Sequence, residues 1–344
     1  MRLGLVLGYW ATVSATGVAL ATKAEELGFD SVWVAEAYGT DAFTPLAWIG
    51  AHTERIHLGT ALAQMPARTP AMTAMTISTL DLLTGGRTIL GLGVSGPQVV
   101  EGWHGVPFGK PLSKTREYVS IVRQVLRREG PLEFHGTWYD IPFRGPDSTG
   151  LGKALKLINH PVRSEVPIYL GAMGPRNVEL AAEIGDGWIP HLLSPHHFRE
   201  IYGDRLATGL RGNSAHSGGK GFDVAAQIYV RVGDDVDACR ETLKGTLALI
   251  IGGYGASRRN FYADAVSRYG YEVAVRQVQD LYLTGRKTEA AAAVPDELVD
   301  ELALVGPKEH VAKQFQVWAD SGVTSLLCWT DQFEAIEMLA EIGR

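Results

Sequence analysis

Short apolar runs alternate with amphipathic segments along nearly the whole chain, and this alternation limits the folds open to it. An apolar run of about four to eight residues between turn residues is typical of a buried strand, and apolar residues spaced three and four apart indicate a helix. The eight strand candidates span residues 2–8, 31–36, 56–63, 87–93, 166–172, 185–190, 222–232 and 323–329.

Most of these strand candidates are followed by a helical segment. A helix between two strands carries the chain back, so the next strand runs in the same direction as the last. Eight such units predict an α/β fold of one domain, residues 1–344, closed as a (β/α)8 TIM barrel. Its site is expected where the strands run into the following loops. A doubly wound open sheet is the alternative.

Three segments interrupt the alternation and are interpreted as insertions into the barrel domain. Residues 97–111 and 131–165 contain many glycines and prolines, and a hairpin-like pattern occupies residues 134–141. Residues 252–294 have helical patterns outside the repeat. Because the loops of a barrel choose its substrate, we expect these insertions to form substrate-side loops or a lid.

Composition and charge argue against several classes of partner. The 344 residues have a net charge of −6 and no long basic run, so no nucleic-acid partner is expected. No apolar stretch reaches the roughly 18 residues of a membrane helix, and the N-terminus does not resemble a signal peptide. Cys239 and Cys328 are isolated, which predicts buried, reduced thiols in a cytoplasmic protein. No metal site is predicted, since His196 and His197 follow Pro195 at a predicted helix start and have no cysteine nearby in the sequence.

Gly91, Gly93 and Gly96 match the G-x-G-x-x-G spacing of a dinucleotide-binding turn. That spacing indicates a dinucleotide site only when its last glycine opens a helix. Here Pro97 follows directly, and the residues after it are predicted to form a loop. The first glycine also lies inside the predicted strand, so a Rossmann fold is disfavoured.

The turn after residues 166–172 has the composition of an anion site. Gly171 and Gly174 allow a ligand to approach the backbone, with a positive φ expected at Gly174, and Pro175 suits the first position of a helix. Free N–H groups at a helix start, with the helix dipole and Arg176, can bind phosphate. The N–H groups concerned belong to Ala172, Met173, Gly174, Arg176 and Asn177. A tight turn whose glycines serve only geometry is the alternative.

Five stretches together resemble the bacterial luciferase-like family of flavin and deazaflavin enzymes. They are SVWVAEAYGTDAF, IHLGTALAQMPARTP, LDLLTGGRTILGLGVSG, VPIYLGAMGPRNVELAAEIGDGW and VGPKEHVAKQFQVWADSGVTSLL. The resemblance covers nearly the whole chain and is greatest to the branch that uses coenzyme F420, a deazaflavin hydride carrier common in actinobacteria. It implies an oxidoreductase that transfers hydride between F420 and a small organic substrate. Family members often dimerise, so a homodimer is expected.

The resemblance also implies which residues bind the cofactor. Thr60, Ala61 and Leu62 match a bulge behind the deazaflavin ring, with a cis peptide bond between Ala61 and Leu62. The segment that matches the contacts to the ring and its side chain is Gly93, Val94, Ser95 and Gly96. The residues that match the phosphate-binding turn are Gly171, Ala172, Met173 and Gly174, beside Arg176.

The chain departs from the family at the proton-transfer residue. Family dehydrogenases end the second strand with an acidic residue followed by a histidine, the proposed base, whereas this chain has Glu36 followed by Ala37. Oxidation by that histidine is therefore not expected, which favours reduction of an activated C=C, C=N or C=O bond. Glu36, near the ring by resemblance, and His191, after the strand candidate 185–190, are the catalytic candidates; solvated side chains are the alternative for both.

Other interpretations remain open at this point. FMN is the alternative cofactor, which would make the chain an FMN-dependent luciferase-like monooxygenase. A non-catalytic F420- or flavin-binding protein is a third hypothesis, consistent with the absent histidine. Tyr9 and Trp10 end the first strand candidate and either line an apolar pocket or pack in the core.

Overall fold

The computed structural model describes residues 1–8, 15–215, 221–255 and 260–343. The strands, in chain order, are β1 (Arg2–Leu7), β2 (Ser31–Val34), β3 (His57–Thr60), β4 (Ala63–Gln64), β5 (Thr88–Gly93), β6 (Phe134–His135), β7 (Asp140–Ile141), β8 (Ile168–Gly171), β9 (Gly187–Ile189), β10 (Asp223–Val232), β11 (Ala303–Gly306) and β12 (Ser325–Trp329).

The α-helices lie mostly between these strands. In chain order they are α1 (Ala15–Leu27), α2 (Phe43–Gly50), α3 (Pro70–Leu83), α4 (Pro97–Gly102), α5 (Pro111–Arg127), α6 (Pro175–Ile184), α7 (Phe198–Gly212), α8 (Val236–Ala248), α9 (Phe261–Val266), α10 (Glu272–Leu283), α11 (Lys287–Ala292), α12 (Asp296–Leu302), α13 (Lys308–Ser321) and α14 (Phe333–Ile342).

Eight strand positions close into a parallel barrel. β1 pairs with β2 on one side and with β12 on the other, while β10 pairs with both β9 and β12. The order around the ring is β1, β2, β3 with β4, β5, β8, β9, β10 and β12. β3 and β4 share one position, because β3 pairs with the start of β5 and β4 with its end. The predicted (β/α)8 barrel is confirmed, and its closure excludes the open sheet.

Large side chains fill the inside of the barrel. The rings of Trp33 and Tyr169 lie 5.8 Å apart, centroid to centroid. A Cβ on Gly59 would lie 2.1 Å from the Trp33 ring, so glycine leaves the space that the indole occupies. Apolar residues on the outer face of the same strands pack in the main core under the helices. Strands that are buried on both faces are the reason that the sequence shows continuous apolar runs.

Local signals set the ends of helix α3. The Thr69 side chain accepts a hydrogen bond from the Met72 N–H at 3.2 Å, and Pro70 occupies the first helical position. Gly85 and Gly86 follow the helix with φ of +66° and +87°, a backbone conformation that favours glycine. The turn at these two glycines therefore leads directly into β5.

Within the segments predicted as insertions, the local structure agrees with the sequence pattern at the hairpin and differs from it after Gly96. β6 and β7 form the predicted antiparallel hairpin. The residues after Gly96, expected to form a loop, instead begin with helix α4, which Pro97 opens. β11 is a strand that the sequence pattern missed. It pairs with the end of β10, beyond the residues of β10 that pair with β12.

The described part of residues 252–294 is helical, as predicted. Two π-helical turns, Leu249–Gly253 and Ser267–Tyr271, alternate here with α9, α10 and α11. These helices pack with α8 around an apolar cluster separate from the main core; its members include Leu247, Ile251, Val266, Val275 and Val278. Whether this cluster moves as a lid stays a prediction.

Candidate active site

The bulge between β3 and β4 is held by neighbouring glycines. Thr60 donates its hydroxyl to the Gly91 carbonyl at 2.7 Å and accepts the Gly91 N–H at 2.8 Å. The peptide bond between Ala61 and Leu62 is cis, which confirms the predicted position. A Cβ on Gly93 or on Gly171 would lie 2.9 or 2.0 Å from Leu62 Cδ1. The two glycines therefore leave room for the Leu62 side chain across β5 and β8.

The segment after β5 turns sharply into helix α4. Ser95 has a φ of +58°, and Gly96, the residue before the helix, is extended with φ −93° and ψ 155°. Val94 lies with Val100 and Phe108 along a small apolar pocket. The last glycine of the G-x-G-x-x-G spacing does precede a helix, so the loop expected there is wrong. The Rossmann fold is still excluded, because Gly91 lies inside β5 as expected and the sheet closes into a barrel.

The turn after β8 has unpaired N–H groups at the start of α6. The Gly174 carbonyl accepts hydrogen bonds from the N–H groups of Asn177 and Val178 at 2.9 and 3.0 Å, so the prediction that Asn177 is free for an anion is wrong. Within the described ranges of the chain, the N–H groups of Met173, Gly174 and Arg176 have no acceptor. These three groups remain available to a ligand.

The turn before α6 is further defined by the backbone conformation of Gly174 and by the contacts to the Met173 carbonyl. Gly174 has φ −85° and ψ 143°, an extended conformation that any residue adopts, so the positive φ expected there is wrong. A Cβ on Gly174 would meet no atom within 4 Å. The Met173 carbonyl accepts hydrogen bonds from the Tyr202 hydroxyl at 3.2 Å and from Arg268 Nη1 at 3.3 Å. The turn is thus held by α7 and by the insertion, and the space in front of α6 is open.

Glu36, just beyond β2, is a buried and fully paired carboxylate. Its side chain is 6% exposed, and Oε1 accepts hydrogen bonds from Arg68 Nη1 at 2.5 Å and from the Gln64 N–H at 2.7 Å. Oε2 accepts the Ala42 N–H at 3.0 Å. The Arg68 guanidinium in turn lies 4.9 Å from the centre of the Phe43 ring. All the partners of Glu36 are donors, so in this arrangement the carboxylate only accepts.

Glu36 is also joined to the predicted cofactor bulge. Its backbone N–H donates to the Leu62 carbonyl at 3.3 Å. Together with the contact from the Gln64 N–H, this bond ties the end of β2 to residues that follow the cis peptide bond. Glu36 therefore positions the bulge, and its predicted role as a proton donor is untested.

His191, two residues beyond β9, lies among aromatic side chains. Its Nε2 is 3.1 Å from the Tyr229 hydroxyl, and its ring is 5.6 Å from the Tyr262 ring and 6.5 Å from the Trp329 ring, centroid to centroid. Burial lowers the pKa of His191 to about 4. The imidazole is therefore neutral at neutral pH.

The barrel order places the two catalytic candidates on opposite sides of one end. Glu36 follows the second strand position and His191 the sixth of eight, so the barrel axis passes between them. The bulge and the anion turn, after the third and fifth positions, lie on the arc between the two. All of them are at the carboxyl ends of the strands, where barrel enzymes bind substrates. Tyr9 and Trp10, the predicted pocket-wall residues, lie outside the described residues.

Several residues of this end were not predicted from the sequence. Arg68 and Gln64 lie in one of the stretches that resemble the family. Tyr229 lies within one predicted strand and Trp329 ends another, so their positions, without their roles, could be read from the sequence. His104 had no sequence signal. It enters because α4 directs it toward Gln64, whose Oε1 lies 3.1 Å from its Nε2.

The structure also bears on metal binding, membrane insertion and the state of the two cysteines. In the part of the chain that the structure describes, no cluster of three or more His, Cys, Asp or Glu side chains could hold a metal ion. None of the described helices combines the length and apolar character needed to cross a membrane. Cys239 and Cys328 are both buried and free, as predicted, and burial raises the pKa of the Cys328 thiol to about 12.

Comparison with known proteins agrees with this geometry. A protein of Mycobacterium tuberculosis, named provisionally as a coenzyme F420-dependent oxidoreductase, is 49% identical over 343 residues, which are 99% of either chain. A 5,10-methylenetetrahydromethanopterin reductase of Archaeoglobus fulgidus is 28% identical over 92% of this chain and 91% of its own. The solved structure of the coenzyme F420-dependent tetrahydromethanopterin reductase of Methanopyrus kandleri has the same fold, with a TM-score of 0.78, 24% identity and coverage of 99% and 97% of the two chains.

A family-level comparison covers most of the barrel. Residues 10–325 match the family described as luciferase-like monooxygenase. The match includes the cis bulge, the segment after β5 and the turn before α6. This chain therefore belongs to the luciferase-like monooxygenase family.

Proposed function

We propose that this protein is an oxidoreductase that binds coenzyme F420 and transfers hydride between its deazaflavin ring and a small organic substrate. The observation that carries the proposal is the 49% identity, over 99% of both chains, to a relative named for F420. The bulge of Thr60, Ala61 and Leu62, at the position that the family resemblance implied, supports the same cofactor site. When bound, F420 supplies the hydride; the protein supplies orientation and proton transfer.

The ring of the cofactor fits the surface formed by the bulge. The Leu62 side chain lies over the glycines of β5 and β8, which would clash with it if they carried a Cβ. The proposed ring contacts come from Glu36, Thr60, Ala61, Leu62, Gly93, Val94, Ser95 and Gly96. The phosphate is assigned to the turn before α6, where Met173, Gly174 and Arg176 have unpaired N–H groups.

The substrate is assigned to the space between the ring and the aromatic residues around His191. Tyr229, Tyr262 and Trp329 surround the imidazole and favour an organic substrate with apolar surface. Ala37 carries no base at the end of β2, which supports reduction of an activated double bond or carbonyl over alcohol oxidation. Tyr262 belongs to α9, so the insertion contributes to this space.

A homodimer is part of the proposal because one outer face of the barrel is apolar. On α3, the side chains of Met72, Met75, Leu82 and Leu83 are half exposed or more, and Trp48 of α2 is 57% exposed. We call these five residues, four on α3 and one on α2, the α3 stripe. Exposed apolar patches of this kind mark protein interfaces.

Cofactor titration tests the proposal directly. F420 should bind the purified protein more tightly than FMN, and Gly174→Val should weaken F420 binding at least about tenfold because the larger side chain fills the open space in front of α6. Fluorescence titration of wild type and variant measures both dissociation constants. Gly174→Ala is the matched control, since its methyl group meets no atom within 4 Å.

The outcomes separate the alternatives. An unchanged dissociation constant for Gly174→Val would remove the phosphate from this turn. Tight binding of FMN without F420 would favour the monooxygenase alternative. Binding of F420 without turnover on any substrate panel would favour the non-catalytic one.

A further inference from the structure

We infer that His104 is the residue that exchanges a proton with the substrate, and that Gln64 determines which nitrogen of its ring does so. The inference rests on the proposed hydride-transfer function. His104 lies in the insertion after β5, and its Nε2 is 3.1 Å from Gln64 Oε1. Gln64 also donates to the Ala37 carbonyl, so His104 is joined through Gln64 to the end of β2, where Ala37 has no side chain able to transfer a proton.

The backbone around His104 is well held. The N–H groups of Trp103 and His104 both donate to the Val99 carbonyl, at 2.9 and 3.1 Å, and close the end of α4. Gly105 has a φ of +66°, which lets the chain turn away immediately after the histidine. The Trp103 ring lies 6.4 Å from the Tyr38 ring, beyond the end of β2. These contacts fix the backbone on both sides of His104 near the loop that follows β2.

The hydrogen bonds of Gln64 determine the tautomer of His104. Gln64 Nε2 donates to the Ala37 carbonyl at 2.6 Å, and a carbonyl can only accept. The amide nitrogen must therefore face Ala37, and the amide oxygen must face His104. Because an amide oxygen also only accepts, the proton of the neutral imidazole is on Nε2. Nδ1 is then left without a proton and can accept one.

The amide group of the Gln64 side chain cannot readily rotate to exchange its oxygen and nitrogen. It is 5% exposed, its backbone N–H donates to Glu36, and its side chain donates to Ala37. Glu36 is in turn fixed by Arg68. This arrangement follows the usual logic of a general base, in which a third group orients the ring so that one nitrogen faces the substrate.

The proton balance matches a two-electron reaction. When the substrate is oxidised, its C–H bond would break as the hydride, with both electrons, passes to oxidised F420, and the proton of the adjoining O–H or N–H group would pass to Nδ1 of His104. In the reducing direction the protonated ring returns that proton to the same atom while the carbon gains the hydride. Solvent resets the ring, because His104 is only partly buried.

The tautomer can be measured without cofactor or substrate. In protein labelled with ¹⁵N-histidine, long-range ¹H–¹⁵N correlation at pH 8 should show the His104 signals of a ring protonated on Nε2. The spectrum of His104→Gln assigns these signals among the ten histidines. Gln64→Leu, which removes the acceptor, should give a mixture of tautomers. A ring protonated on Nδ1 in the wild type would overturn the inference.

Kinetics tests the proton transfer itself. His104→Ala should reduce turnover about 100-fold or more, leave the F420 dissociation constant within a few-fold, and regain activity with added imidazole. The control His160→Ala alters an exposed histidine and should change neither quantity. Turnover near the wild-type value, or a loss that imidazole does not restore, would overturn the role of His104. Failure of the wild type to bind F420 would instead contradict the proposed function, and the tautomer measurement would still stand.

Discussion

At the scale of single residues, the two predicted catalytic side chains have opposite surroundings. Glu36 is enclosed by donors, including the Arg68 guanidinium, and His191 is enclosed by aromatic rings. The first environment suits an ion that holds other groups in position, and the second suits a neutral ring. Their tests therefore need readouts that separate proton transfer from positioning.

Glu36→Gln and His191→Ala, with F420 binding and turnover measured separately, test the two catalytic assignments. If Glu36 or His191, rather than His104, exchanges the proton, its loss should cut turnover by about 100-fold or more and leave cofactor affinity within a few-fold. Glu36→Gln also leaves the Arg68 charge unpaired, so it should lower the free energy of unfolding, by about 3 kcal/mol. Glu165→Gln, which breaks an exposed pair with Arg127, is the stability control. Near-normal turnover in both variants would refute both assignments.

The lowered pKa of His191 predicts how stability depends on pH. The folded protein holds this pKa at about 4, and the unfolded chain at about 6.5, so the unfolded state binds more protons between these values. Stability should therefore fall as pH drops from about 6.5 to about 4, by of the order of 3 kcal/mol from this residue. Urea unfolding at several pH values should show a weaker dependence for His191→Phe than for the control His160→Gln. Equal dependence in both variants would contradict the assignment of this shift to His191.

At the scale of elements, the glycines at the ends of β5 and β8 serve the bulge more than the turn. Gly171 appeared in the sequence to belong with Gly174 in an anion-binding turn. In the structure its missing side chain makes room for Leu62, whereas Gly174 has open space around it. Gly171 and Gly174, which belong to one sequence motif, are therefore glycine for different physical reasons.

Gly171→Ala and Gly174→Ala should differ accordingly. A methyl group on residue 171 would lie 2.0 Å from Leu62 Cδ1, so Gly171→Ala should cost about 1–3 kcal/mol of stability and weaken F420 binding. Gly174→Ala should change stability by less than about 0.5 kcal/mol. Adding Leu62→Ala to Gly171→Ala should recover part of the loss, since residues in contact are not additive. Urea unfolding of the four proteins gives the answer, and equal effects of the two alanines would contradict the packing argument.

At the scale of the whole molecule, the two ends of the barrel have different tasks. At the amino-terminal end of the strands, Asp223 accepts hydrogen bonds from Tyr169 at 2.9 Å and Ser325 at 2.8 Å, and pairs with Arg2 at 2.8 Å. This buried network joins four strands and holds the ring closed. The carboxyl end has the bulge between β3 and β4, the turn before α6 and the aromatic side chains around His191. Stability and chemistry are thus divided between the ends, as is usual in this fold.

The α3 stripe predicts the oligomeric state. The wild type should be a dimer at micromolar concentration, and the double variant Met75→Arg with Leu83→Glu should be a monomer, because charges would be buried in the interface. Light scattering after size-exclusion chromatography measures both masses. Val273→Glu, a change at a 71% exposed position on α10, is the control and should remain a dimer. A monomeric wild type would contradict the proposed interface.

The sequence by itself was sufficient for the order of the barrel. Apolar runs and the glycines and prolines between them depend on local backbone preferences, so the eight strands, the hairpin and the helical insertion could be predicted. The position of the cis peptide bond came from the family resemblance. The strand β11 was missed because a run of four residues beside a helix has no distinctive period.

Only the tertiary structure decided which side chains meet. Glu36 and Arg68 are 32 residues apart, and His104 and Gln64 are 40 apart, yet each pair is in hydrogen-bond contact. His191 gains its low pKa from aromatic residues on three other elements. Such contacts arise when the ring closes and brings distant loops to one end, and no local pattern in the sequence reports them. The barrel could therefore be predicted from its residues in order, and the chemistry of its site only from their packing.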